Sequence, residues 1–167
     1  MKDIIVKLEK LEELTRQAKR FSCQQVQFIN EGDIVKYGIA ISKLLSRDDC
    51  VFTVDNSGTK FFNEYIKPFF VNKNVGRINV FDESVVLPPN HFNCRRVVVI
   101  DDAITTGNTL RRAFRLLSER TSLNPNQMKI FCISSTVDVI DIDSFPVEVC
   151  YLLKVTSDTY VAFPWEL

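Results

Sequence analysis

The stretch Val97-Val98-Val99-Ile100-Asp101-Asp102-Ala103-Ile104-Thr105-Thr106-Gly107-Asn108-Thr109 decides the fold of this chain. Four apolar residues come first, then two acids, then a turn rich in hydroxyl groups and glycine, and a helical pattern follows from Leu110. This order predicts a buried strand that presents two carboxylates beside the start of a helix. Carboxylates can hold ribose hydroxyls or a metal, and free N–H groups at a helix start can hold a phosphate. The stretch therefore predicts a site for a sugar phosphate.

The same residues resemble the signature of type I phosphoribosyltransferases, which bind 5-phosphoribosyl 1-pyrophosphate (PRPP). The resemblance implies that Asp101 and Asp102 contact the 2′- and 3′-hydroxyls of ribose and hold a metal, directly or indirectly. It also implies a loop around the 5′-phosphate, built from Ala103, Ile104, Thr105, Thr106, Gly107, Asn108 and Thr109. The alternative is a plain strand-turn-helix in which Asp102 caps the helix and Gly107 relaxes the turn.

The composition is that of an ordinary globular protein, with 167 residues, 46% hydrophobic, 25% charged and a formal net charge of zero. This length suits a single domain covering 1–167, with an N-terminal helix in 1–22 and a C-terminal hood segment in 155–167. No cluster of basic residues suggests a nucleic-acid partner, and the apolar runs are too short to span a membrane. The N-terminus lacks the apolar core of a signal peptide, which favours a cytoplasmic location.

The five cysteines are scattered along the chain and form no C-x-x-C pair. Their spacing favours neither a disulfide framework nor a metal site. We therefore expect free thiols in a reducing cytoplasm. The residues are Cys23, Cys50, Cys94, Cys132 and Cys150.

Strand and helix patterns alternate through the middle of the chain. Strands are predicted at 25–29, 50–54, 77–81, 97–100, 129–134 and 147–153, and helices at 3–21, 60–69 and after Asn30 and Thr109. This alternation predicts an α/β fold, a central and mostly parallel sheet flanked by helices, with a small hood from the chain ends. Ligands in such sheets bind at the carboxyl ends of the strands. Because Asp55 and Asp101 both follow a strand, we expect their loops to face one cleft.

The loop after strand 50–54 supports the first motif. In type I phosphoribosyltransferases this loop binds the pyrophosphate of PRPP, and the resemblance places Asn56, Ser57, Gly58, Thr59 and Lys60 there. Backbone N–H groups and hydroxyls would hold the phosphates, and the lysine would add a positive charge. The alternative is an ordinary strand-to-helix turn, for which these small polar residues are typical.

The segment 82–95 reads as a loop, and it occupies the place of the mobile loop that closes over PRPP in this family. Its functional candidates are His91, Arg95 and Arg96. Asp82 and Glu83 are candidates for a position near a metal, although a surface turn explains them equally well.

The tail, from Asp158 to Glu166, resembles the ending of xanthine-guanine phosphoribosyltransferases and their archaeal relatives. That resemblance implies that Tyr160 stacks on a purine and that the backbone of Val161 reads the edge of the base. Stacking on an aromatic face is a sound way to hold a flat heterocycle. The alternative is a C-terminal strand whose aromatic residues pack on the core.

Two positions depart from the purine-enzyme pattern. The acid that such enzymes place three residues after the second signature acid is Thr105 here, which cannot act as a base near neutral pH. The lysine that they use to recognise the oxygen at C6 of the purine is missing after strand 129–134, and none appears before Lys154. The tail therefore points to 6-oxopurines, whereas the signature turn does not.

Taken together, the motifs predict an enzyme that transfers the phosphoribosyl group of PRPP to a nucleobase, with a purine favoured. The resemblance implies Mg²⁺ as cofactor and a homodimer as the assembly. The alternative is a module of the same fold that senses PRPP or a nucleotide without turnover, and a third interpretation is a structural domain without a ligand.

Overall fold

The computed structural model of the chain describes residues 2–71, 74–121, 124–142 and 144–166, with only the backbone described at 2–9 and 125. The helices are α1 (Lys2–Arg20), α2 (Glu31–Leu44), α3 (Asp55–Phe61) and α4 (Asn108–Ser118). The strands are β1 (Gln25–Phe28), β2 (Asp49–Val54), β3 (Val75–Asn79), β4 (Ser84–Val86), β5 (Arg96–Ile100), β6 (Ala103–Ile104), β7 (Met128–Ser135), β8 (Val139–Ile142), β9 (Phe145–Lys154) and β10 (Thr159–Ala162). Among the described residues, no helix has the length and apolar character that crossing a membrane requires.

The main sheet is mostly parallel, as predicted. Its strand order is β4-β3-β2-β5-β7-β9-β8, with β6 beside β7. Only the pairs β3–β4 and β8–β9 are antiparallel, and both lie at the edges of the sheet. The five central parallel strands are β3, β2, β5, β7 and β9 across the sheet. When they are renumbered 1 to 5 by their order in the chain, the sheet order is 2-1-3-4-5, and it reverses between β2 and β5. Open α/β sheets bind their ligands at such a reversal, outside the carboxyl ends of the strands.

Apolar side chains cover both faces of the sheet. On one face, α4 buries Leu117 against Phe52 and Val97. On the other face, α2 and the segment from α3 onward bury Ile34 and Phe61 against the sheet. Because β2 and β5 are covered on both sides, their sequences are nearly continuous apolar runs rather than alternating ones.

Three elements differ from the sequence-based expectation. The run that reads as a turn after β2 is the first turn of α3, because Asp55 takes a left-handed φ of 49° and the chain turns directly into the helix. The helix continues as a π-helical turn at Phe62–Ile66. The predicted loop 82–95 contains β4 and a short 3-10 helix at His91–Asn93. Between the predicted strands 129–134 and 147–153, where the acidic residues 138–143 favour a linker, the structure has β8, because Ile140 and Ile142 alternate with polar residues and are buried; Asp143 lies outside the described residues.

The two ends of the chain meet in a small second sheet. Strands β1 and β10 pair in parallel, with Gln25 opposite Thr159 and Phe28 opposite Ala162. Helix α1 packs against both strands. We call this unit, formed by α1, β1, β10 and the following turn Pro164–Glu166, the hood.

The cysteine expectation is wrong at one pair. Cys50 at the start of β2 and Cys94 just before β5 form a disulfide, with their Cα atoms 5.5 Å apart. The two strands are parallel neighbours, which brings residues 44 positions apart to the same end of the sheet. Cys23, Cys132 and Cys150 are free thiols.

Candidate active site

A cleft of about 510 Å³ lies where the strand order reverses, at the carboxyl ends of β2 and β5. Both polar loops predicted from the sequence contribute to its wall, so the expectation of one shared cleft is confirmed. The residues that line it are Asp55, Asn56, Ser57, Asn79, Phe81, Asp101, Asp102, Ala103 and Thr109.

Two adjacent carboxylates occupy the centre of this wall. Asp101 is 6% exposed, and its Oδ1 accepts a hydrogen bond of 2.9 Å from the backbone N–H of Asp102. Burial raises the pKa of Asp101 well above its ordinary value, and the charge of Asp102 raises it further. Burial also raises the pKa of Asp102, although its hydrogen bond with Asp101 acts in the opposite direction. A cation or hydroxyl donors in the cleft would stabilise the charged form of both groups.

The residues after the carboxylates divide into a core part and an exposed part. Ile104 is 3% exposed and belongs to the core, and Ala103 pairs with Ser134 of β7 and lines the cleft. The next residues form an exposed loop that ends at Gly107, whose left-handed φ of 76° turns the chain into α4. Helix α4 has 11 residues, and the first N–H groups of the helix have no partner within it; that of Asn108 donates to the Thr106 hydroxyl at 3.4 Å. The predicted phosphate cradle is therefore a loop and a helix start from Thr105 to Thr109.

Arg111 braces this cradle, and the sequence analysis did not identify it. Its Nη1 donates to the carbonyl of Thr106 and to Oδ1 of Asn108, both at 3.0 Å. Its Nε donates to the carbonyl of Asp141 in β8 at 3.1 Å. The side chain therefore ties the loop to the sheet edge and places a positive charge beside it. Its position one turn into the predicted helix could have indicated that its side chain reaches back to the loop.

The five residues predicted to bind pyrophosphate do not all face the cleft. Asn56 and Ser57 line it. The hydroxyl of Thr59 donates to the carbonyl of Asp55 at 2.5 Å and lies 2.9 Å from the hydroxyl of Thr53, so it is used inside the protein. Lys60 lies 4.0 Å from Glu64 and 5.9 Å from the ring centre of Trp165, away from the cleft wall.

Gly58 sets how closely α3 approaches the carboxylates. A Cβ at this position would lie 2.7 Å from the carbonyl oxygen of Ile100 and 3.0 Å from Cα of Asp101. Both are backbone atoms of the strand end, so only a residue without a side chain fits. The glycine thus brings the first turn of α3 against the end of β5.

Asp55, which the sequence placed at the cleft, lies in this wall, and Arg77 is a further polar residue beside it that sequence reasoning missed. Oδ1 of Asp55 accepts a 2.7 Å hydrogen bond from the N–H of Val80, which ties the start of α3 to the end of β3. Arg77, on β3, donates through Nη2 to Oδ1 of Asn56. Within the described part of the chain, its buried Nε has no hydrogen-bond partner. Arg77 therefore holds its guanidinium charge beside Asn56 at the rim of the cleft.

Tyr160 and Val161 lie in the hood strand β10. The Tyr160 hydroxyl is 2.8 Å from Oε1 of both Gln17 and Glu166, and burial raises its pKa, with Glu166 and Asp102 adding to the increase. Gln25 and Ile29 of the β1 segment donate to the carbonyls of Asp158 and Ala162, so the even-numbered residues of β10 face β1. Alternation then turns the N–H and carbonyl of Val161 to the other edge of the strand.

Comparison with solved structures supports the same architecture. The xanthine-guanine-hypoxanthine phosphoribosyltransferase of Helicobacter pylori superposes with a TM-score of 0.62 at 12% identity, covering 86% of this chain and 93% of that one. A purine phosphoribosyltransferase from Pyrococcus horikoshii gives 0.59 at 15% identity, covering 85% and 94%. A hypoxanthine phosphoribosyltransferase from Staphylococcus aureus gives 0.53 at 17%, covering 80% and 79%. The chain has the type I phosphoribosyltransferase fold. No family model matches the sequence, and no curated protein sequence matches it.

Two positions depart from the purine-enzyme pattern: Thr105 stands where an acid is expected, and the chain has no lysine between β7 and Lys154. The carbonyl of Thr105 accepts a hydrogen bond from the Thr136 hydroxyl, which anchors the loop to the end of β7. Lys154 stands beside Ser135 in the neighbouring strand, and its ammonium group lies 2.7 Å from Oδ1 of Asp138. The lysine is therefore paired with a carboxylate.

The candidates from the predicted mobile loop lie away from this cleft. Nδ1 of His91 is 2.9 Å from the carbonyl of Pro88, and the residue lines a different cleft, together with Ser118. Arg96 donates to both carboxylate oxygens of buried Asp49 at the opposite end of the sheet. The site lies at the carboxyl ends of the strands, whereas Arg96 and the residues just before it lie at the amino end of β5.

Arg95 and Glu83 also make contacts outside the cleft, and Asp82 contacts Asn79 at its edge. Arg95 donates its N–H to the carbonyl of Asp48. Asp82 accepts from Asn79 at 3.0 Å within the turn after β3. The carboxylate of Glu83 lies 3.6 Å from the guanidinium groups of Arg112 and Arg115 in α4. Asp82 and Glu83 thus fold the β3–β4 turn and attach it to α4.

Proposed function

We propose that the protein transfers the 5-phosphoribosyl group of PRPP to a nucleobase, with a purine as the first candidate, and releases pyrophosphate. The observation that carries this proposal is the placement of Asp101 and Asp102 between two phosphate-compatible segments at one cleft. One segment is the loop that opens α4, and the other is the first turn of α3.

The donor half of the site follows from this arrangement. The carboxylates of Asp101 and Asp102 accept hydrogen bonds from the ribose hydroxyls. The 5′-phosphate lies in the loop from Thr105 to Thr109, where N–H groups at the start of α4 and the threonine hydroxyls donate to it. Arg111 holds this loop and adds favourable charge.

The pyrophosphate group lies against the first turn of α3. Asn56 and Ser57 offer polar groups to it, and Arg77 supplies the positive charge that the sequence had assigned to Lys60. A guanidinium group suits phosphate oxygens because its N–H groups can form paired hydrogen bonds. Breakage of the C1′–O bond places negative charge on pyrophosphate, and these groups stabilise that charge.

The carboxylates fit a role for Mg²⁺ that depends on the substrate. Among the residues that the structure describes, no group of three or more histidine, cysteine or acidic side chains could hold a metal ion. Mg²⁺ is commonly bound by one or two carboxylates together with substrate phosphates and water, and Asp101 and Asp102 match that requirement. When bound, Mg²⁺ would neutralise phosphate charge and favour departure of pyrophosphate.

The acceptor half of the site belongs to the hood. The ring of Tyr160 stacks on the base, and the outward backbone groups of Val161 bind its edge. A ring nitrogen of the base attacks C1′ through an oxocarbenium-like state, which the nearby carboxylate oxygens stabilise. Because Thr105 replaces the acid of purine enzymes, the proton of the base passes to solvent in this proposal.

Pyrophosphate release tests the proposal directly. The protein is incubated with PRPP, Mg²⁺ and each of adenine, hypoxanthine, guanine, xanthine and orotate, and released pyrophosphate is measured. Release that depends on one base, and that disappears in Asp101→Asn and Asp102→Asn, is the expected result. PRPP binding without turnover on any base would support the second candidate, a PRPP- or nucleotide-sensing module, which the threonine at position 105 favours.

The proposal includes a homodimer in the cytoplasm as its cellular form. Sedimentation at micromolar concentration checks the first part, where a monomer would contradict it. Localisation of a tagged full-length chain checks the second.

A further inference from the structure

An exposed phenylalanine of the hood lies parallel to the tyrosine proposed to stack on the base. Phe21, just after α1, is 69% exposed. Its ring centre lies 6.1 Å from that of Tyr160, and the two ring planes differ by 14°. Single exposed phenylalanines are ordinary on a protein surface, so the informative feature here is the parallel arrangement of the Phe21 ring with that of Tyr160.

The spacing of the rings suits a flat ligand after a small movement. Atoms in contact are separated by about 3.5 Å, so a heterocycle between two rings needs their centres about 7 Å apart. The observed 6.1 Å therefore has to increase by about 1 Å.

The two rings differ in how firmly they are held. The Tyr160 hydroxyl lies between Gln17 and Glu166, and the second oxygen of Glu166 accepts a 2.8 Å hydrogen bond from the N–H of Phe163. Tyr160 is therefore fixed to both α1 and the tail. Phe21 is fixed through its backbone, which donates to the carbonyls of Gln17 and Ala18 at 3.2 Å, whereas its side chain remains largely exposed. One ring is fixed and the other can move.

We propose that Phe21 is the second wall of the acceptor site, so that the nucleobase is held between the rings of Phe21 and Tyr160. This inference rests on the proposed function, and it makes the N-terminal segment part of the substrate site. Val161, next to Tyr160 in β10, belongs to the same buried cluster as Ile100, which directly precedes Asp101, so β10 packs on the end of the signature strand. A base between the two rings would thus be close to the ribose that the carboxylates hold.

Isothermal titration separates the base contribution from that of the sugar phosphate. Wild type, Phe21→Ala and Phe21→Trp are titrated with AMP, GMP and ribose 5-phosphate. The control is Phe92→Ala, which removes an even more exposed phenylalanine, at 86%, from the short helix before β5. Stacking of one base on an aromatic ring predicts that Phe21→Ala weakens nucleotide binding by about tenfold or more, with ribose 5-phosphate unaffected. Phe21→Trp restores nucleotide binding.

The tryptophan variant adds a spectroscopic readout. Trp165 is the single tryptophan of the natural chain, so Phe21→Trp introduces a second emitter at the proposed contact. We expect nucleotide to quench this added fluorescence and ribose 5-phosphate to leave it unchanged.

The outcomes distinguish this inference from the function on which it rests. Nucleotide binding by Phe21→Ala equal to that of Phe92→Ala would overturn the second wall alone. An equal loss of ribose 5-phosphate and nucleotide binding would also overturn it, since the effect would then be structural. Wild type that binds none of the three ligands would overturn the proposed function and the inference together.

Discussion

Replacing Gly58 with alanine tests whether close contact between α3 and the signature strand builds the cleft. The new Cβ would lie 2.7 Å from the carbonyl oxygen of Ile100, whereas an ordinary contact begins at 3.4 Å. The obstructing atoms are backbone atoms at the end of a buried strand. The first turn of α3 therefore has to move by about 0.7 Å, and it carries Asn56 and Ser57 with it.

The displacement has a cost in stability and a larger one in function. Overpacking of this kind destabilises by about 1–3 kcal/mol, and the better helix propensity of alanine returns up to about 1 kcal/mol. The free energy of unfolding is then expected to fall by up to about 2 kcal/mol. A misplacement near 1 Å can reduce catalysis by about a hundredfold, so pyrophosphate release is expected to fall by at least tenfold.

Chemical denaturation measures the first effect and pyrophosphate release the second, and a PRPP titration follows the accompanying loss of donor affinity. Gly32→Ala is a control far from the cleft, because its Cβ would meet only one side-chain atom, Oδ1 of the helix cap Asn30, at 3.0 Å in an exposed part of α2. That control is expected to keep PRPP affinity and to change the free energy of unfolding by less than about 1 kcal/mol. If Gly58→Ala matched Gly32→Ala in both stability and PRPP affinity, the packing argument for the cleft would be refuted.

Three further predictions concern the disulfide, the buried carboxylate and the anion site. Opening the Cys50–Cys94 bond, which spans 44 positions, is expected to lower the free energy of unfolding by about 4 kcal/mol. Reductant should therefore destabilise wild type and leave Cys94→Ser unchanged; a wild type insensitive to reductant would argue against the bond. The raised pKa of Asp101 means that the native state binds its proton more tightly than the unfolded chain, so stability falls as pH rises above about 4. The stability of Asp101→Asn relative to wild type, measured by thermal melts, is then expected to be greater at pH 8 than at pH 4, and PRPP binding is expected to be lost. An equal difference in stability between variant and wild type at both pH values would contradict this. Arg77→Gln is expected to weaken PRPP binding by about tenfold and Lys60→Gln to have little effect, whereas the reverse order in a titration would return the pyrophosphate role to the lysine.

The signature stretch could be interpreted from sequence because its physics is local. A run of four apolar residues has to be buried, and two acids directly after it have to lie at the end of the strand. Gly107 takes a left-handed φ in the turn before the helix, a conformation that a glycine adopts without steric cost. The parallel sheet followed from the alternation of strand and helix patterns.

Other parts of the site depended on contacts between distant segments. Arg77 comes from a neighbouring strand, and its position beside Asn56 depends on the pairing of β2 with β3. Lys60 seemed the suitable cation in the sequence, but the helix that starts at Asp55 rotates it toward Trp165. The contact between Phe21 and Tyr160 joins the two ends of the chain, which no local pattern can indicate.

By itself the sequence determined the strand with its two carboxylates, the turn into α4 and the class of the fold, because burial and backbone geometry act over a few consecutive residues. Only the tertiary structure decided which charge stands beside Asn56, which cysteines pair and which ring faces Tyr160. Those outcomes depend on strand order and on the packing of the hood, where residues far apart in sequence become neighbours. The part of the proposed site that holds ribose and the 5′-phosphate was therefore readable from one segment, whereas the charge for pyrophosphate and the acceptor half required the fold.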